Sequence, residues 1–147
     1  MKNKFYILFS LIIAGCVSLK SSQGDIREKI VRIAKNLLEK KYFYGKQDIY
    51  YGFDCSGFTQ FVYSEAGIKI KRTSIEQYNN AQKITLSKLQ PGDLVFFAIS
   101  SNGPDHVGIY IGNNMFIHAP SEGKKIQISS FNIDYWRKKF YIGGTYL

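Results

Sequence analysis

A chain of 147 residues has room for one domain with its own core, so the fold needs no disulfide or metal to hold it. Hydrophobic residues at 45% and charged residues at 21% exclude extensive disorder, and the net charge of +9 favours anionic partners. Nucleic acid is not the expected one, because there is no zinc-ligand spacing, no glycine-rich phosphate loop and no cluster of basic residues on one predicted helix face.

The chain begins MKNK, then FYILFSLIIAG: a positively charged start and an apolar run too short to cross a bilayer permanently, the pattern of an export signal. The run closes on Ile13-Ala14-Gly15-Cys16, which resembles the bacterial lipoprotein signal. That resemblance implies removal of residues 1–15, acylation of Cys16, and a membrane anchor at the cell envelope. The anchor would sit in an outer membrane facing the periplasm or on the outer face of the plasma membrane. Loss of Lys2 and Lys4 would leave a charge of +7. An uncleaved anchor is the alternative. Residues 16–24 then form the lipidated cysteine and a short polar tether, and residues 25–147 one folded domain, expected to act as a monomer.

Asp25 and Glu28 have the spacing of a capping box, and Ile26, Ile30, Ile33, Leu37 and Leu38 recur at helical intervals, which predicts a helix over 26–40. The aromatic loop YFYGKQDIYYGFD follows. Cys55, Phe58, Val62 and Ala66 then share one helical stripe ended by Gly67, with Asp54 placed to cap it. A short helix begins at Ser74, whose spacing to Gln77 suggests a second capping box. From Leu94 the pattern turns to strands: LVFFAI, HVGIYI, MFIHA, KIQISS and KKFYIGGTYL. Helices followed by strands predict an α+β fold, with N-terminal helices packed on a mainly antiparallel sheet of about five strands.

With Cys16 committed to lipid, Cys55 has no partner in a compartment where disulfides form. A leftover thiol there is either an inert buried group or a reactive one. A helix start and an adjacent imidazolium are expected to lower its pKa by several units and favour the thiolate. His106 and His118 flank a hairpin whose turn lies around Gly112, Asn113 and Asn114. A two-residue loop without a bulge sends them to opposite faces, whereas a three-residue loop or one bulge unites them; the same face is predicted. There His106 serves Cys55 as general base and His118 orients its ring. Metal ligation by the three is the competing use. They lack the close paired spacing of zinc sites, and no metal or other cofactor is expected.

FDCSGFTQFVY, PGDLVFF and HVGIYIGNNMFIHA, in that order, resemble the signature segments of the NlpC-type family of bacterial cell-wall peptidases, which are papain-like cysteine enzymes. The resemblance runs from about Leu37 to Gly144. It implies that Cys55 is the nucleophile, His106 the base and His118 the orienter. It also implies that Tyr42 lines the site and assists the oxyanion, with Lys46 standing where the family usually has a second glycine. Asp54, Ser56 and Arg72 would contact substrate, although helix capping also accounts for Asp54 and Ser56. The implied substrate is the stem peptide of peptidoglycan, most often cut between D-glutamate and the following diamino acid through a thioester. A non-catalytic wall-binding lipoprotein and an amidase or acyltransferase on the same scaffold are the competing readings.

Overall fold

The computed structural model of the protein describes residues 22–147. The predicted signal over residues 1–15, the predicted lipidation site Cys16 and the predicted tether up to residue 21 lie outside the described residues.

Helix α1 (Gln23–Asn36) starts from Ser22, whose hydroxyl accepts the Asp25 N–H while the Asp25 carboxylate accepts the Ser22 N–H. The capping box is therefore Ser22 with Asp25, one turn before the Asp25–Glu28 pair, and the helix ends at residue 36 instead of 40. Its end is set by a distant segment. The Glu39 and Tyr42 N–H groups bond to the carbonyls of Ile126 and Lys124, and the Ile126 N–H bonds to that of Lys40. Those bonds draw residues 39–42 out of helical geometry, and Glu39 turns with a φ of 70°.

Helix α2 (Cys55–Glu65) is capped as expected, Asp54 Oδ1 accepting the Gly57 N–H at 2.7 Å, and it buries Phe58, Val62 and Tyr63 completely. Helix α3 (Ser74–Asn80) is capped one residue earlier than expected, by Thr73 with Glu76. Gln77 is instead fully buried: it accepts the Thr59 hydroxyl at 2.7 Å and donates to the carbonyls of Ser56 and Lys71. It clamps α3 to α2.

A two-stranded ribbon, β1 (Gln47–Asp48) with β2 (Gly52–Phe53), folds the aromatic loop back on itself. The main sheet contains β3 (Gln82–Ile84), β4 (Leu94–Phe97), β5 (His106–Gly112), β6 (Met115–His118), β7 (Gln127–Ser130) and β8 (Phe140–Thr145). All neighbours are antiparallel in the order β3-β8-β4-β5-β6-β7. This is the expected α+β arrangement with six strands instead of five. The extra one, β3, is three residues long, lies at the edge, and carries no alternating pattern to reveal it. The last predicted strand is also shortened, because Lys138 and Lys139 belong to helix α4 (Asp134–Lys139).

Strand alternation divides the core. Leu94, Phe96, Val107, Ile109 and Ile117 pack in the cluster that contains α1 and α2 residues, whereas Val95, Phe97, Phe116 and Phe131 form a second cluster under Trp136 of α4. The fully buried Asp93 accepts from Arg27 of α1 at 2.8 Å and from the Gln90 N–H at 2.8 Å, pinning the Pro-Gly-Asp turn to the first helix.

Candidate active site

The β5–β6 hairpin turns on Asn113 and Asn114, both at positive φ, as a two-residue turn of the primed kind requires. Ile109 faces Ile117 and Tyr110 faces Phe116, but Gly112 faces Met115, so one extra residue is inserted at Ile111. This bulge brings the two histidines to one face, as the parity argument predicts. His106 Nε2 lies 2.8 Å from His118 Nδ1, and His118 Nε2 lies 2.8 Å from the Ser129 hydroxyl on β7. Gly108 makes the approach feasible: a Cβ there would stand 3.2 Å from the His118 Cβ and 2.9 Å from the Ile117 carbonyl.

Aromatic rings enclose the pair. Trp136 stacks on His106 (centroids 6.0 Å apart, 27° between planes) and meets His118 edge-on at 4.7 Å, while Phe97 lies 5.9 Å from His106 and Phe116 4.9 Å from His118. Burial therefore pushes His106 down to about 4, against the opposing charge of Asp105. Burial, then the charges of His106 and Lys124, push His118 down to about 2. Neither Ser129 nor Trp136 was singled out from sequence. Alternation places Ser129 on the His118 side, but a serine in a strand signals nothing by itself.

Cys55 is the first residue of α2 and is half-buried, and the backbone N–H of Val107, next to His106 in the chain, acts on its sulfur to favour the thiolate. Burial and then the Asp54 carboxylate push the thiol up to about 11, against the N–H groups of Val107, Ser56 and Cys55 itself. Both shifts, the thiol up and the imidazole down, run against the ion pair expected from a helix start. Desolvation and a neighbouring anion outweigh the helix-start N–H groups.

Asp54, Ser56 and Arg72 engage one another. Arg72 donates to Asp54 Oδ1 at 3.0 Å, to Oδ2 at 2.8 Å and to the Ser56 hydroxyl at 3.0 Å, while Asp54 also accepts the N–H groups of Gly57 and Gly45. A Cβ on Gly57 would fall 2.4 Å from the Lys46 carbonyl, so the loop is pressed directly on the helix tip. Lys46 contributes its backbone there, its carbonyl accepting the Asp54 N–H at 3.1 Å. A hollow of about 440 Å³ beside this buttress is lined by Tyr42, Tyr44, Cys55, Arg72, Ser74 and Asp105. Burial and the nearby charges of Cys55 and Asp54 push the Tyr42 phenol up to about 12, which keeps it a proton donor. Among the described residues no three His, Cys, Asp or Glu side chains are grouped to hold a metal ion.

The NlpC/P60 family model matches residues 39–144, which includes Tyr42, Cys55, both histidines and every strand up to β8. The chain belongs to the NlpC/P60 family. It is 41% identical over 124 residues to murein DD-endopeptidase MepH of Escherichia coli (strain K12), covering 79% of this chain and 45% of that protein. It is 43% identical over 112 residues to probable peptidoglycan endopeptidase LytE of Bacillus subtilis (strain 168), covering 76% and 32%. An NlpC/P60 family protein from Bacillus cereus ATCC 10987 has a similar structure, with a TM-score of 0.76 at 32% identity over 82% of this chain and 40% of that one. The chain spans less than half the length of each of these three proteins.

Proposed function

We propose that this chain is a cysteine endopeptidase that hydrolyses the stem peptides of peptidoglycan, with Cys55 as nucleophile, His106 as general base and His118 as orienter. The observation that carries the reading is the 2.8 Å His106–His118 contact, enclosed from water, at the start of β5, whose next residue, Val107, acts on the Cys55 thiol through its N–H. His106 Nε2 is occupied by His118, which leaves Nδ1 to accept the thiol proton. That assignment makes His106 the Nε2–H tautomer, and His118 in turn donates its Nε2–H to Ser129.

In this mechanism the sulfur attacks the scissile carbonyl as its proton passes to His106, so no charged pair has to be held in the resting site. The oxyanion is met by the Cys55 N–H, which as a first-turn group of α2 has no intrahelical acceptor, and by the Tyr42 hydroxyl. Collapse of the tetrahedral species breaks the C–N bond, and the departing amine takes the proton from His106. Water then attacks the thioester, again giving its proton to His106, and the acid leaves as the sulfur is reprotonated.

The bond between D-glutamate and the diamino acid is the first candidate, and the name of the E. coli relative, a murein DD-endopeptidase, supports a D,D cross-link as the second. Action on the wall requires export, which agrees with reading residues 1–15 as a signal and Cys16 as a lipid anchor. Incubation with defined muropeptides followed by mass spectrometry tests the function. A hydrolysed stem peptide is expected with the parent protein, together with a loss of at least about 10³-fold in the Cys55→Ala variant. Cleavage by Cys55→Ala at the parent rate would overturn it.

A further inference from the structure

A second hollow, of about 490 Å³, separate from the one beside Arg72, is lined by Ile99, Pro120, Ser121, Lys124, Tyr135 and Trp136. Trp136 is shared: the indole that walls this hollow is also stacked on His106 and edge-on to His118. A fragment seated there would pack on the indole that stacks on His106, the imidazole that must protonate a departing amine. The loop carrying Lys124 is fixed to the cleft, because the Lys124 carbonyl accepts the Tyr42 N–H at 2.9 Å and its own N–H bonds to Ser121.

The two consecutive lysines of this loop differ in their surroundings. Lys125 is paired with Glu39 at 3.0 Å, whereas Lys124 is exposed and has no carboxylate partner among the described residues. Its charge is felt at His118. The hollow therefore combines an aromatic and aliphatic wall with the exposed cation of Lys124 in its lining, which is complementary to an aliphatic chain ending in an anion.

Resting on the peptidase reading above, we infer that this hollow is the leaving-side subsite and that it takes a diamino acid whose aliphatic chain ends in a free carboxylate, paired with Lys124. In the D-glutamate–diamino acid bond the departing amine is at the near end of the diamino acid and the free carboxylate at the far end of its chain; in a D,D cross-link that carboxylate is on the carbon of the departing amine itself, so the subsite is assigned for the first bond.

The test uses two stem peptides identical except that the diamino acid is diaminopimelate in one and lysine in the other, so that only the first carries the terminal carboxylate. For the parent protein, kcat/KM should favour the carboxylate peptide by roughly five- to tenfold, mostly through KM, and the preference should shrink as salt is raised. In Lys124→Gln the ratio should fall to about 1, and Lys124→Arg should restore it. A parent protein without preference, or a Lys124→Gln variant that keeps it, would overturn the subsite. Calorimetric binding of both peptides to the Cys55→Ala variant separates the two readings. Preferential binding without any turnover by the parent removes the peptidase and leaves the subsite. Turnover without preference removes the subsite alone, and neither binding nor turnover removes both.

Discussion

The two halves of the site are held by opposite physics. On the strand side, His106 and His118 are stripped of water by Trp136, Phe97 and Phe116, and their polar atoms are satisfied by each other and by Ser129. On the helix side, Asp54 and Arg72 form an ion pair at 2.8 Å, and Asp54 also accepts the backbone N–H groups of Gly45 and Gly57. The strand half sets a protonation state through desolvation; the helix half sets the position of Cys55 through charge. Substitutions should therefore alter pH behaviour on one side and alignment or stability on the other.

The sharpest break is His106→Ala, which removes the proton acceptor and should lower kcat/KM on a muropeptide by about 10²–10⁴-fold with near-normal circular dichroism. Next is His118. His118→Asn keeps an acceptor near the position of Nδ1 and should retain several-fold more activity than His118→Leu, which leaves the His106 N–H without a buried partner. A merely space-filling role for His118 would rank the two variants the other way.

On the helix side, Arg72→Ala strips three donors from Asp54 and Ser56 and should cost about 2 kcal/mol in urea unfolding, while the acid limb of the activity profile stays in place. A shifted limb would contradict the division of labour between the halves.

The pH dependence of stability isolates the strand side. Both rings stay neutral in the fold, but in the unfolded chain they bind protons near pH 6.5. Between pH 6.5 and about 4 the unfolded state holds more protons, so stability should fall as pH falls, by up to about 1.4 kcal/mol per unit for each histidine. Above 6.5 the histidines contribute no slope. Urea midpoints at pH 7, 6 and 5 measure this, and constant midpoints would contradict neutral burial. The smallest expected effect is that of Trp136→Leu. Opening the aromatic enclosure should move the acid limb of kcat/KM from near 4 up towards 6.5, with Trp136→Phe between the two.

Features with local causes were legible in the sequence. A carboxylate one residue before an apolar helix caps it, so the link from Asp54 to the Gly57 N–H could be foreseen, and with it the place of Cys55 at the helix tip. Strand parity is likewise local, and the choice between a bulge and a longer loop already contained the answer for His106 and His118. What depended on chain neighbours far away in sequence was not legible. The end of α1 is drawn off by residues 124–126, Gln77 is buried by contacts with Thr59, Ser56 and Lys71, and β3 exists only by pairing with β8. The protonation of the site belongs to the same class. Helix-start N–H groups and a neighbouring imidazole argue locally for a thiolate, yet burial of Cys55 pushes its thiol up and rings from β4, β6 and α4 push the imidazoles down, because desolvation is a property of the packed molecule and not of any one segment.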